Sequence, residues 1–448
     1  MNLPRERTGT SLRGDFAVNL VGYAGYAAAQ WAMLLVLVRL GSPAMVGEYS
    51  LALAIGAPVV MFTNLRLSFL LTSDASRTRP FSDYFSVRVA ANAIALFAII
   101  IWATVGGYRG ATWLVIALIG VAKIAEAFSD MAYAYLGMRL RFREIATSLA
   151  IRGWGTVFLM AVLRLLGVPL TGVAAAIAGW WCLAFWQIDL RLLRLARIGD
   201  DPAVAPPVGL VALLRAFRLD QSLFRLALQA VPLGIVAVSL SLASSVPRLS
   251  IARVLGADAV GYFSALAYVT VAGRMIAVAL GTSTLPRLGR HVASGDRAAF
   301  LHTVSRVVSF GVGLGALGTV AAVLVGRPLL TIVYGPDYGA RSEVLTWLLM
   351  AAGLGYAANF LEDALVALRH LVVQGALLVF TLTVITACCA VLIPRFGLLG
   401  AAWALVIGAA VEVVGAGLLF WRAVAAWSTD LRPAATIAGT PGASTPAT

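Results

Sequence analysis

Within VAKIAEAFSDMAYAYLG, residues 121–137, three ionisable side chains interrupt an otherwise apolar run: Lys123, Glu126 and Asp130. At 3.6 residues per turn, their i, i+3, i+7 spacing stacks them on one helix face. Two kinds of chemistry suit such a face. Lys123 pairs with Glu126 one turn away while Asp130 bonds Tyr133 or an arginine of a neighbouring segment. Alternatively, the face lines a wet cavity and opens to receive a charged ligand or a coupling ion. The spacing leaves both readings open.

Other charges are buried in apolar stretches. Arg66, Arg152 and Arg274 come from separate segments, and three permanently protonated guanidiniums meeting in one place would hold a multivalent anion such as a diphosphate. The competing reading for each is snorkelling to the membrane interface. Glu362 and Asp363, with Asn359 one turn earlier and Arg369 and His370 just beyond, form either a proton or cation site for energy coupling or an ion pair closing a helix end. Glu412 is a further carboxylate in an apolar run. Arg39, Arg164, Arg248, Arg253 and Arg395 fall at segment ends and read as interfacial anchors, as do Trp31, Trp102, Trp113 and Trp403.

The elements that must position these groups follow from composition. Of 448 residues, 61% are hydrophobic and 12% charged, against roughly 25% charged in soluble domains. Apolar windows of about 20 residues, enough to cross a bilayer core of ~30 Å, recur twelve times. The expected spans are 16–40, 45–71, 84–105, 111–136, 145–166 and 170–188, then 226–249, 260–280, 304–325, 344–368, 371–393 and 398–419. The fold class is therefore all-α: a polytopic membrane protein of about 12 transmembrane helices. Residues 1–190 form an N-lobe of spans 1–6, 191–222 an amphipathic cytoplasmic linker, 223–425 a C-lobe of spans 7–12, and 426–448 a disordered tail.

The net charge of +14 reads as topology and lipid contact and calls for no nucleic acid. Roughly 22 of the 34 basic residues fall in the N-terminus, the even-numbered loops and the C-terminus, which places both termini in the cytoplasm. Cys182, Cys388 and Cys389 lie in apolar runs and offer neither a disulfide framework nor a metal spacing. No nucleophile motif, phosphate loop or metal cluster is present. No catalytic residue, metal ligand or cofactor is expected, and transport is favoured over covalent chemistry, with H+ or Na+ left open as a coupling ion.

An internal repeat refines the architecture. RLGSPAMVGEYS at 39–50 returns as RVLGADAVGYFS at 253–264, aligning Arg39 with Arg253, Val46 with Val260, Gly47 with Gly261 and Ser50 with Ser264. RLLGVPLTGVAAA at 164–176 has a weaker echo in PRFGLLGAAWA at 394–404. Each half thus opens with the same outer turn. Six spans is an even number, so the halves relate by an axis along the membrane normal, as in transporters with two lobes around a central cavity.

Four stretches carry a resemblance: FTNLRLSFLLTSDASR (62–77), KIAEAFSDMAYAYLGMRLRFREIATSLAIRGW (123–154), VPLGIVAVSLSLASSVPRLSIARVLGADAVGYFSALAY (231–268) and RFGLLGAAWA (395–404). In this order the chain resembles bacterial polysaccharide and O-antigen flippases of the Wzx type, within the multidrug/oligosaccharidyl-lipid/polysaccharide (MOP) transporter superfamily. The resemblance implies two six-helix lobes around a cationic cavity in the bacterial cytoplasmic membrane. Its cargo would be a polyprenyl-diphosphate-linked oligosaccharide, flipped from inner to outer leaflet by alternating access, beside membrane lipids and other polysaccharide-assembly proteins as partners. On that reading Arg66, Arg152 and Arg274, with Lys123, neutralise the diphosphate, and Asn64 and Tyr133 meet the sugar. Lys123 is the one lysine in the chain, a departure from the family pattern. A MATE-like multidrug or cation antiporter would instead use Glu126, Asp130 and Glu362 as proton or sodium ligands. A membrane-embedded glycosyltransferase or polymerase would need a sizeable outer loop, and the odd-numbered loops are short.

Overall fold

A computed structural model describes residues 12–73, 79–197 and 221–430, and among these every regular element is a helix. The N-terminal half contributes α1 (Leu12–Leu40), α2 (Pro43–Thr63), the short α3 (Leu67–Ser73), α4 (Phe81–Val105), α5 (Gly110–Met138), α6 (Phe142–Leu165) and α7 (Leu170–Ala196). The C-terminal half contributes α8 (Gln221–Leu255), α9 (Ala257–Ala293), α10 (Arg297–Val333), the one-turn α11 (Pro336–Gly339), α12 (Ser342–Ala367) and α13 (Leu371–Asp430). Backbone polar groups have no water partner in hydrocarbon, so chains this apolar satisfy them within helices.

Eleven described helices are long and apolar enough to cross a membrane. Twelve spans are expected, and α13 supplies two of them: its 60 residues are two helices, the expected spans 11 and 12, joined by a kink at Gly397. There φ is 59° and ψ is −131°, a conformation essentially confined to glycine, so the chain reverses without leaving its helical ladder for long. The protein is thus a multi-pass, all-helical membrane protein.

Several helices outrun their apolar windows. α9 and α10 have 37 residues each, or about 55 Å at 1.5 Å per residue, well beyond a hydrocarbon core of ~30 Å. Their shared turn is closed by Gly295 at φ 70° and by Asp296, whose side chain accepts from the Ala299 amide. The polar residues there do not end the helices, because in 284–293 and 297–303 only Pro286 and Gly289 oppose a helix among leucines, alanines and arginines that favour it. Residues 198–220 and 431–448, most of the expected linker and tail, lie outside the described residues.

Packing within the N-terminal half joins α1 to α6 and sets α5 against α2, α4 and α7. In the C-terminal half α12 is central, packed against α9, α10 and α13. α2 bridges the halves by packing against both α8 and α9. Its crossing with α9 is at the repeated glycines: a Cβ at Gly47 would overlap the carbonyl oxygen of Ala257, and one at Gly261 would overlap that of Pro43. α10 turns much of its surface outward, with Leu317, Val323 and Leu324 exposed as lipid-facing side chains should be.

Candidate functional site

Three groups of residues carry the polar chemistry. The first is the charged face of α5. Lys123 pairs with Glu126, and Tyr26 of α1 donates to Glu126 Oε1 at 2.8 Å. Asp130, one further turn along, is exposed. The Lys123–Glu126 pair expected from the spacing is thus formed, and Asp130 stands at the exposed end of the face.

Behind that face lies Arg152 of α6, only 1% exposed. Its guanidinium stands 5.4 Å from each of three ring centroids, Tyr26, Tyr133 and Trp181, a cation–π box in which desolvation strengthens the attraction. Its Nε and Nη1 make no hydrogen bond. Tyr133, expected as a partner of Asp130, is hydrogen-bonded to Ser148 at 2.8 Å. Ser148 and Ser129 both donate to the carboxylate of Asp189, Ser129 at 2.6 Å. Asp189 reaches them because α7 makes a π turn over Phe185–Asp189, which inserts an extra residue per turn and rotates the carboxylate inward.

Arg88 of α4 is equally buried and donates to Ser68 of α3 at 3.2 Å, while its Nε and Nη1 stay unpaired. Neither Arg88 nor Asp189 was picked out by sequence reasoning. Arg88 carried a usable signal, an arginine with Asn92 four residues on inside an apolar run; Asp189 carried none, since only the π turn brings it to the serines.

The second group forms a cavity of about 320 Å³ within the C-terminal half. Arg248 of α8, Arg274 of α9, Tyr356, Asn359 and Glu362 of α12, and Glu412 of α13 line it. Arg248, expected as an interfacial anchor, instead donates to Ser264 Oγ at 3.2 Å and to the Ser244 carbonyl at 3.0 Å on the cavity wall. Asp363 faces away, toward Gly281 of α9, and accepts from Asn359 at 3.4 Å.

The third is the boundary between the halves. α2 packs against both α8 and α9, and α1 and α9 flank an apolar cleft of about 750 Å³. Ala24, Ala28 and Trp31 line it from α1, and Ala272, Met275 and Ile276 from α9. At one end the cleft is closed by Trp31, which donates to the Tyr334 hydroxyl at 2.7 Å, and by Arg39, which donates to the carbonyls of Ile332 and Val333. α9 is the shared wall: Val271 lines both the cleft and the polar cavity.

Arg66, Arg152 and Arg274 thus occupy three settings. Arg152 is sealed among aromatics, Arg274 is exposed on the cavity of the C-terminal half, and Arg66 is exposed at the break between α2 and α3, where Leu65 and Arg66 both adopt positive φ. Asn64 caps α2 at that break, with its Oδ1 buried and unpaired.

No protein-family profile matches the chain. Its fold is nonetheless shared with solved transporters. An inward-facing MATE family multidrug resistance transporter of the MOP superfamily superposes with a TM-score of 0.60 at 14% identity, covering 96% of this chain and 98% of the other. The chain shares the fold of this transporter. A MOP superfamily transporter from Pyrococcus furiosus, described as having a binding pocket of reversed polarity, matches with a TM-score of 0.61 over 92% of this chain and 95% of its own, at 14% identity. In sequence, the capsular polysaccharide biosynthesis protein CapF of Staphylococcus aureus is 24% identical over 402 residues, 87% of this chain and 94% of that one.

Proposed function

We propose that this MOP transporter is a flippase that moves a polyprenyl-diphosphate-linked oligosaccharide across the bacterial cytoplasmic membrane by alternating access, its termini in the cytoplasm. The observation that carries this reading is the double role of α9. One side of the helix presents Arg274 to a polar cavity that also holds Arg248, and the other lines an apolar cleft open at the helix boundary. A charged headgroup joined to a long hydrocarbon needs both surfaces within reach of one another. The relationship to a capsular polysaccharide biosynthesis protein supports the same cargo class.

In this mechanism the diphosphate meets Arg274 and Arg248, and guanidinium forks suit phosphate oxygens. Arg66 is available at the other end of the pathway. Asn64, with its unpaired carbonyl oxygen, offers the sugar an acceptor. Arg152, Tyr133, Lys123 and Glu126 hold the N-terminal helices together around the pathway and do not touch the cargo. The tail stays in the cleft between α1 and α9. The decisive experiment is analysis of lipid-linked oligosaccharides in a strain lacking the protein, complemented with wild type or Arg274→Ala. Accumulation of a defined intermediate, relieved by wild type and not by Arg274→Ala, is expected. An unchanged lipid-linked pool would end this reading.

A second reading, cation antiport, is favoured by one observation: Glu362 and Glu412 share the cavity with the arginines. It predicts altered resistance to cationic drugs on deletion, with surface polysaccharide intact.

A further inference from the structure

Asn19, Tyr23, Tyr26 and Gln30 of α1 are spaced i, i+4, i+7, i+11 and form one polar row along about 16 Å of the helix. The row reaches the boundary between the halves, since Gln30 at its C-terminal end accepts from the Tyr268 hydroxyl of α9 at 3.2 Å. Tyr26 is buried and donates to Glu126 of α5 at 2.8 Å. Tyr23 differs from both: it is 46% exposed, with no hydrogen bond among the described residues.

Level with Tyr23 stands Asp130. A Cβ on Gly22 of α1 would meet Ala146 of α6, and one on Gly153 of α6 would meet Ala29 of α1, so these two helices run parallel. α5 and α6 form a hairpin, bonded across by Tyr133 and Ser148, and run antiparallel. α1 and α5 are therefore antiparallel as well. From the Tyr26–Glu126 bond, one turn toward the start of α1 is Tyr23, and one turn toward the end of α5 is Asp130. Asp130 is exposed and, like Tyr23, has neither an ion pair nor a hydrogen bond among the described residues.

An ionisable group within a membrane-spanning helix meets either a partner or a wet cavity, and Asp130 lacks the partner. Its acidic neighbour Glu126 is committed to Lys123 and Tyr26. A metal cation takes several converging oxygens, and here a single uncommitted carboxylate faces a phenol. That combination suits a sugar. Its hydroxyls donate to the carboxylate in charge-assisted bonds, its C–H face lies on the tyrosine ring, and the Asn19 amide one turn away supplies both a donor and an acceptor. On an adjoining face, α1 lines the apolar cleft with Ala24, Ala28 and Trp31.

We propose that Tyr23 and Asp130, with Asn19 beside them, form a glycan-recognition site in the N-terminal half. It reads sugars of the cargo while the diphosphate lies on Arg274 and Arg248 of the other half. The assignment rests on the flippase reading and adds the residues by which one glycan is told from another.

The test is the binding of two probes to the full-length protein in lipid nanodiscs: lipid-linked oligosaccharide extracted from a strain lacking the protein, and the same polyprenyl diphosphate carrying no sugar. Wild type should hold the sugar-bearing lipid at least about tenfold more tightly, the scale of a charge-assisted hydrogen bond. Asp130→Ala and Tyr23→Ala should each bring the two affinities within roughly threefold of one another, with affinity for the bare lipid unchanged. Tyr23→Phe, which keeps the ring, should lose less of the preference. Arg274→Ala should weaken both probes alike. Both side chains being exposed and unbonded, their variants should unfold at the wild-type midpoint. Equal binding of the two lipids by wild type would overturn the glycan site and leave the flippase reading standing, as would an Asp130→Ala variant that keeps the full preference or weakens both probes alike. A deletion strain that accumulates no lipid-linked oligosaccharide would overturn both.

Discussion

Gly47 and Gly261, equivalent positions of the internal repeat, meet each other where α2 crosses α9: a Cβ on Gly261 would lie 3.1 Å from the Gly47 amide nitrogen and would overlap the Pro43 carbonyl. The two halves are therefore joined at the very residues by which they resemble one another. Small residues let helix backbones approach where dispersion and packing replace the hydrophobic effect. The contact holds the halves together at the turn-side ends of both helices.

Gly47→Ala and Gly261→Ala should each force α2 and α9 apart, destabilising the crossing by about 1–3 kcal/mol as overpacking does. Thermal unfolding in detergent should show lowered midpoints for both, with a smaller further loss in the double variant, since one separation relieves both clashes. Midpoints equal to wild type would mean that the crossing tolerates a wider spacing.

The closure beside it predicts a trap. Trp31 and Tyr334 are hydrogen-bonded through their side-chain tips across the boundary between α1 and α10, so cysteines at the two positions, in a background free of Cys182, Cys388 and Cys389, stand too far apart for a direct disulfide and should be bridged by a bifunctional methanethiosulfonate reagent with a spacer. Polysaccharide export should stop on cross-linking and return on reduction. Continued export with the cross-link formed would show that this end of the cleft does not open during transport.

Arg152 stabilises the N-terminal half through its aromatic box. Arg152→Ala should destabilise by about 2 kcal/mol or more, the scale of a desolvated cation–π contact. Arg274→Ala, exposed on its cavity, should leave the unfolding midpoint nearly unchanged while abolishing export. The opposite ordering of the two midpoints would reverse the roles assigned to these arginines.

Asp189 accepts from both Ser129 and Ser148. Asp189→Ala removes the charged acceptor of two buried hydroxyls, leaving Ser129 the Ala125 carbonyl and Ser148 the Tyr133 hydroxyl, and should cost roughly 1–3 kcal/mol in all. Adding Ser129→Ala and Ser148→Ala should restore part of the lost stability, a recovery that a merely additive set of substitutions would not show in unfolding experiments.

If a hydrocarbon tail occupies the cleft, filling it should act on transport alone. Ala272→Trp and Ala28→Trp place large rings among cleft-lining, exposed alanines. Export should fall at least several-fold with protein level and midpoint maintained. Normal export in both variants would place the tail elsewhere.

The helical bundle was legible because membrane insertion leaves its mark residue by residue, in long apolar windows and in the repeat around Gly47 and Gly261. The same logic misplaced ends where a boundary depends on something other than hydropathy: α9 and α10 run past their expected spans because the arginines, leucines and alanines flanking their shared turn favour helix. Spans 11 and 12, read as separate, are two helices joined at Gly397 by a turn with no polar loop. For the site, Lys123, Glu126 and Asp130 were readable as a face from spacing alone. The grouping of Arg152 with Tyr26, Tyr133 and Trp181 was not, since it brings together α1, α5, α6 and α7, and no local pattern encodes which helix sits beside which. Arg248 was assigned to the interface because its place near a helix end outweighed the serines that receive it.

The cleft between α1 and α9 is bordered by side chains that are themselves exposed, among them Ala24, Ala28, Ala272 and Ile276. A pore walled on every side would oblige its passenger to thread through, end first, and would set a limit on its bulk. A seam with one free edge imposes no such limit: a molecule anchored in the bilayer can slide along it sideways, whatever the length of the portion trailing among the lipids.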